Sequence, residues 1–258
     1  MAALSLNHYW RIVAAGLSYV LFGLGALLPG LYILVLGILP LDQQSRQLKV
    51  RRVIQKLCHV YVNIMQGLGL MQYTVHGTAP NDLRGHMVVS NHTMLIDALF
   101  ALALVENLCC VVKASLCDNV FTRGPIKLAG YIPNNDPDLV NRAAKKLADG
   151  ENLLIFPEGT RNQYDLQLDF KRGAANIAVI SNAPILPMLM CCAPRALGKD
   201  KKWYQLPPVK SQITIEFHPV LRVGDCIDTN APRTRQYRKF TQWLRDYYYR
   251  AVSRVTEG

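Results

Sequence analysis

The segment Ser90-Asn91-His92-Thr93-Met94-Leu95-Ile96-Asp97 sets a histidine and a carboxylate five positions apart at the seam between two apolar patterns. Upstream, Met87-Val88-Val89 is the short continuous run of a buried strand. Downstream, Met94, Leu95, Ala98, Leu99 and Leu102 recur at helical spacing. His92 then falls at a helix mouth with Asp97 one turn in, where side chains lean back over the preceding turn. A carboxylate so placed accepts the proton of one imidazole nitrogen, fixes the tautomer and leaves the other nitrogen to act as a base. Spacing alone fits a helix-capping histidine and a surface aspartate equally well.

A second stretch favours chemistry. Leu153-Leu154-Ile155-Phe156 is an apolar run that stops in Pro157-Glu158-Gly159-Thr160-Arg161. A buried strand ending in a glycine turn that carries an acid, a hydroxyl and an arginine puts polar groups where open α/β sheets bind ligands. Together the stretches resemble the glycerolipid acyltransferase family, which includes the 1-acylglycerol-3-phosphate acyltransferases. The resemblance rests on N-H-x-x-x-x-D at Asn91, His92 and Asp97 and on F-P-E-G-T-R at residues 156–161. Two weaker blocks follow the same order, Gly130-Tyr131-Ile132 and Ala183-Pro184-Ile185-Leu186-Pro187, and the similarity spans about residues 70 to 220.

The resemblance implies an α/β fold with a mixed central sheet flanked by helices, and a membrane-associated O-acyltransferase. His92 would be the general base, assisted by Asp97. Glu158, Gly159, Thr160, Arg161 and Lys113 would bind the acceptor. The donor would be an acyl-carrier-protein or acyl-CoA thioester, the acceptor a lysophosphatidic acid or related lysolipid, and no metal or other cofactor is called for. Backbone N–H groups near His92 or Gly159 would hold the oxyanion. The second block departs from the family, which has an arginine after the isoleucine where this chain reads Pro133-Asn134-Asn135-Asp136-Pro137. An acid in that place repels a phosphate, so a different hydroxylated lipid is the alternative acceptor. Lys171 and Arg172 offer substitute anion contacts. Two rivals are a serine hydrolase using Ser90 or Ser115, which lacks a G-x-S-x-G elbow, and a non-catalytic lipid-binding protein.

The elements that must position these groups fit within 258 residues, enough for one α/β domain with an appendage. We divide the chain into a membrane-associated helical segment, 1–70, and an acyltransferase domain, 71–258. Half the residues are hydrophobic and 18% are charged, which argues against disorder. The net charge of +11 comes without zinc-finger spacing or an aromatic RNA-binding signature, so it points to an anionic membrane face and not to nucleic acid. Seven cysteines, two pairs of them adjacent, read as reduced core residues.

Residues 12–41 carry no formal charge, interrupted by Pro29-Gly30. This exceeds the ~20 residues of a spanning helix, as one tilted span or as two short helices entering and leaving one leaflet, the arrangement the family resemblance favours. Arg46, Lys49, Arg51, Arg52 and Lys56 follow against Asp42 alone, which places the chain on the cytoplasmic face of the inner (plasma) membrane. Residues 48–70 form an amphipathic helix ended by Gly67 and Gly69. Residues 213–217 alternate like an edge strand, and 232–252 form a final helix with Phe240, Trp243, Leu244, Tyr247 and Tyr248 on one stripe. Lys199-Asp200-Lys201-Lys202-Trp203-Tyr204 sets cations beside aromatics, which suits a membrane interface and equally an ordinary loop.

Overall fold

The computed structural model describes residues 6–77, 82–161, 169–197 and 202–257. In chain order the elements are α1 (Leu6–Ile38), α2 (Gln43–Gly67), β1 (Met71–His76), β2 (Met87–Ser90), α3 (Asp97–Leu104), β3 (Leu108–Val112), α4 (Ser115–Asp118), α5 (Arg123–Ala129) and β4 (Ile132–Pro133). Then follow α6 (Leu139–Ala148), β5 (Asn152–Ile155), α7 (Arg172–Ser181), β6 (Ile185–Ala193), β7 (Ser211–Phe217), α8 (Val223–Cys226) and α9 (Arg233–Glu257).

The strands form one mixed sheet in the order β1-β7-β6-β2-β5-β3-β4. β6, β2, β5, β3 and β4 run parallel, and β7 turns antiparallel to β6 and pairs in parallel with β1. Continuous apolar runs suit the centre of such a sheet because both faces are covered. All four residues of β2 and of β5 are buried. The expectation of an edge strand at 213–217 is corrected, since β7 lies inside the sheet between β1 and β6. Its alternation records one more open face, with Ser211, Ile213 and Ile215 buried and Gln212 exposed, not an open edge.

Helices cover the sheet in two groups. α6, α7 and α9 pack together, with α9 on β6, while α2 packs on α3 and α5, and α1 on α2 and α5. Tyr61, Val62 and Met65 of α2 share one core with the sheet residues Val88, Leu154 and Leu186, so the core is continuous across residue 70. Arg51 makes that junction polar as well as apolar. Its guanidinium donates to Ala129 O at 2.9 Å and Asn107 Oδ1 at 3.0 Å, and pairs with Glu151 at 2.7 Å.

α1 is a single helix that continues through Pro29, so the two-helix arrangement is not what the chain adopts. Proline fixes φ in the helical range and removes one N–H. The turns beyond it are held by Ile33 and Leu36, which are buried against the domain. Near the other end of α1, Arg11 donates to the carbonyls of Pro207, at 2.9 Å, and Pro208. Fastened near both ends, α1 runs along the domain, and most of its apolar surface between those points is exposed. Arg46, counted above as a membrane flank, also gathers the carbonyls of Leu36, Leu39 and Leu41 at 3.0–3.1 Å, which satisfies the end of α1.

Candidate active site

His92 lies in the loop between β2 and α3, and α3 begins at Asp97 itself, a few residues later than the apolar spacing implies. The loop is therefore non-helical from Asn91 to Ile96, and hydrogen bonds fix it. Asn91 extends the β2–β6 ladder with its side chain, donating from Nδ2 to Met190 O at 2.7 Å and accepting Met190 N–H on Oδ1 at 2.8 Å. Asp97, wholly buried, accepts the backbone N–H groups of Thr93 at 2.5 Å and Met94 at 2.7 Å on Oδ2. The same oxygen faces His92 Nδ1 at 3.0 Å. The carboxylate thus folds the loop and orients the ring at once, and Nδ1 carries the proton in this pairing. Nε2 has no hydrogen-bond partner among the described residues, and the imidazole remains partly exposed. Phe156 stacks on the ring, with centroids 4.5 Å apart and planes 27° from parallel.

The Pro157–Arg161 turn stands beside this loop because β5 pairs with β2 in parallel and both end on one sheet edge. Glu158 does not face outward toward a ligand, as the motif led us to expect. It is buried, and its Oε2 accepts the backbone N–H of His92 at 2.7 Å. Its other oxygen, Oε1, is buried without a hydrogen-bond partner among the described residues. Burial pushes the Glu158 carboxyl up to about 8, against the lowering effect of the His92 N–H, with Asp97 nearby adding to the rise. Glu158 is therefore largely protonated at neutral pH.

Arg161 joins the two stretches through a third. Its guanidinium donates to Leu197 O at 3.1 Å, and the N–H of Leu95 reaches the same carbonyl at 3.3 Å. Arg161 also lies within electrostatic reach of Tyr19, which brings α1 to the rim of the site. Gly159 has φ +67°, and a Cβ there would meet Lys171 Cδ and Nζ at 3.2 Å. Lys171 therefore lies over the turn. Thr160 is exposed, and Arg172 is an exposed residue at the start of α7. Lys113 follows β3 directly and is exposed on the same sheet edge.

Three expectations change. Four of the N–H groups offered for an oxyanion are already engaged: His92 to Glu158, Thr93 and Met94 to Asp97, and Gly159 to Phe156 O at 3.0 Å. Asp136 does not present a free negative charge, because it pairs with Arg142 and accepts Asp138 N–H at 2.8 Å. Ser90 is buried, with its hydroxyl donating to Asn91 O at 3.2 Å, which removes it as a nucleophile toward the His92 ring. All seven cysteines are free, and no metal-holding cluster of His, Cys, Asp and Glu occurs among the described residues. Residues 162–168 and 198–201, including Lys199, Asp200 and Lys201, lie outside the described residues. Sequence reasoning missed Phe156 as the ring's stacking partner and Asn91 as a strap. Both sit inside the recognised motifs, but a motif records residue types and not directions.

Residues 72–191 match the family model described as Acyltransferase. The chain is 26% identical over 168 residues to the human protein named 1-acyl-sn-glycerol-3-phosphate acyltransferase alpha, covering 62% of this chain and 58% of that one. It is 26% identical over 182 residues to the 1-acyl-sn-glycerol-3-phosphate acyltransferase of Limnanthes douglasii, covering 66% of this chain and 63% of that one. The chain thus spans less than two thirds of these relatives. The crystal structure of the 1-acyl-sn-glycerophosphate (LPA) acyltransferase PlsC from Thermotoga maritima shares the fold, with a TM-score of 0.73 over 98% of this chain and 97% of that one, at 20% identity.

Proposed function

We propose that this chain, whose residues 72–191 match the family model described as Acyltransferase, transfers a fatty acyl group from a coenzyme A or acyl-carrier-protein thioester to the hydroxyl of a lysophosphatidic acid or related lysolipid. The observation that carries the reading is the 3.0 Å contact between His92 Nδ1 and Asp97 Oδ2 with the other ring nitrogen unengaged. Nε2 takes the acceptor's hydroxyl proton as the oxygen attacks the thioester carbonyl, and Asp97 stabilises the imidazolium. The tetrahedral intermediate collapses with cleavage of the C–S bond, and the thiolate leaves with the proton held on His92. Base catalysis of this kind is worth ~10²–10⁴ in rate. With the N–H groups of His92, Thr93, Met94 and Gly159 engaged, the developing oxyanion falls to the other donors of the Gly159–Arg161 turn and to Lys171.

Arg161 and Lys171 supply the cations for the acceptor's phosphate, an arginine fork suiting a phosphate bidentately. Lys113 and Arg172, exposed nearby, add positive potential. α1 lies in the cytoplasmic leaflet with its exposed apolar face in lipid, and the basic flank of α2 stays at the headgroups. A second acceptor class is favoured by one observation: Pro133-Asn134-Asn135-Asp136-Pro137 stands where the family resemblance leads one to expect an arginine, and its one charged residue, Asp136, is paired with Arg142. In that reading the chemistry stands and the acceptor is another hydroxylated lipid. Purified full-length protein offered 1-acylglycerol 3-phosphate and the matching monoacylglycerol, with both donor types, decides between them. Transfer to the phosphorylated acceptor that disappears in His92→Ala supports the first reading, transfer to the uncharged one alone supports the second, and transfer to neither overturns both.

A further inference from the structure

We infer that the turn linking α4 to α5 is a second lipid-leaflet contact, inserting Val120 and Phe121 beside α1. The inference rests on the reading of α1 as a leaflet-bound helix.

Val120 is 70% and Phe121 87% exposed, and Leu116 on α4 is also open. Scattered exposed apolar residues need no explanation, but these are held out by a tightly bonded turn. Asn119 Oδ1 accepts Phe121 N–H at 2.9 Å, and Asn119 O accepts the N–H groups of Thr122 at 3.2 Å and Arg123 at 2.9 Å. The Thr122 hydroxyl donates to Leu116 O at 2.5 Å. With the N–H groups of Phe121, Thr122 and Arg123 satisfied internally, the turn can enter the headgroup region while stranding few N–H donors there. Asn119 and Thr122 make the presentation of the two side chains rigid.

The turn is continuous with the exposed face of α1. α5 seats against that helix through glycines at two levels: a Cβ on Gly124 would meet Leu34 at 3.7 Å, and a Cβ on Gly37 would meet Leu128 at 3.2 Å. Around this seam Leu27, Leu28, Leu31 and Ile38 of α1 are all exposed. α1 is the one helix among the described residues long and apolar enough to cross a membrane, and little of it is buried inside the protein. A lipid leaflet is the occupant that matches an apolar face of this length. Charge agrees: Lys113, Arg123 and Lys127 flank the turn, and Asp118 is the single acid between residues 113 and 127.

Placement gives the contact a role. The turn rises from the end of β3, on the sheet edge that also carries His92 after β2 and the Glu158 turn after β5. A leaflet touched by α1 alone leaves the domain free to roll about the helix axis. Touched also at Val120 and Phe121, it meets the catalytic edge, and a lysolipid reaches His92 without leaving the interface.

Two tryptophan insertions in the full-length protein test this, Phe121→Trp on the turn and Leu31→Trp on α1, each added to the same native background and mixed with phosphatidylglycerol-rich vesicles carrying brominated acyl chains. Bromine quenching of both added signals is expected. In parallel, Phe121→Asp should lower transfer to vesicle-borne lysolipid by about tenfold while leaving transfer in detergent micelles unchanged. Quenching of Leu31→Trp without Phe121→Trp overturns the inference and leaves α1 in the leaflet. Quenching of neither removes the membrane reading itself. A Phe121→Trp signal that follows protein concentration instead of bromolipid assigns the turn to a second copy of the chain, and likewise overturns the inference.

Discussion

Glu158 Oε2 accepts the backbone N–H of His92 at 2.7 Å, so the acid of the F-P-E-G-T-R turn holds the His92 loop from behind instead of facing a ligand. Burial keeps this carboxyl protonated up to about pH 8. Glu158→Gln retains an acceptor oxygen for His92 N–H and should keep activity within about tenfold at pH 7, whereas Glu158→Ala strands a buried donor and should lose far more. Steady-state rates on the three proteins check this. A Gln variant as inactive as the Ala variant would show that a carboxylate charge is what matters.

The same carboxyl predicts a pH effect on stability. Its folded value of about 8 lies above the ordinary 4.5, so between those two pH values the unfolded chain has released a proton that the folded chain still holds. Raising pH across that window therefore favours unfolding, and the effect levels off below about 4.5, where both states are protonated, and above about 8, where both are ionised. Urea midpoints measured from pH 5 to 9 should fall with pH in the wild type and fall less in Glu158→Gln. Parallel curves for the two proteins would contradict the assignment.

Asp97 gathers the His92 ring and two backbone N–H groups on a single oxygen. Asp97→Asn places an N–H₂ donor among these donors or turns the ring to its other tautomer. A drop in kcat of ~10²–10⁴ is expected with little change in KM, since the acceptor contacts we propose lie elsewhere. Kinetics at saturating lysolipid would reveal a contrary result as a change in KM alone.

Lys171 lies over Gly159 at the rim, and the proposed function has it meet the acceptor's anionic group. Lys171→Met should raise KM for a phosphorylated lysolipid by about tenfold, the scale of one charge-assisted hydrogen bond, and leave the matching monoacylglycerol nearly unaffected. Equal effects on the two acceptors would point to the oxyanion or to folding.

How much of this was readable in advance differs from residue to residue. His92 and Asp97 were legible because one short segment carries both, so no long-range packing intervenes between their types and their contact. The mixed sheet was legible through the family resemblance alone, whereas the continuous apolar runs of β2 and β5 marked those two strands as buried on both faces. The direction of Glu158 was not, since burial depends on how β5 and β2 end side by side, which a linear motif does not encode. Pro29 misled for a similar reason: its local preference is to break a helix, and the packing of Ile33 and Leu36 overrides it. Arg46 read as a membrane flank because a charge pattern cannot reveal three carbonyls waiting at the end of the preceding helix.

Arg51 and Glu151 hold the N-terminal helices to the sheet through a buried ion pair at 2.7 Å, with Lys146 sharing the carboxylate at 2.8 Å. Removing one partner of such a pair leaves the other under-compensated, so Arg51→Leu should destabilise the protein by roughly 3 kcal/mol. The double variant Arg51→Leu/Glu151→Leu removes both charges and leaves Lys146 bonded to Gln47 Oε1 at 3.0 Å. Part of the lost stability should therefore return, because the desolvation of Glu151 disappears with its charge. Thermal unfolding of the wild type, both single variants and the double variant in one detergent gives the coupling directly. Additive losses would mean that the ion pair contributes nothing to fastening α2 against the domain, and that its apolar face alone holds it there.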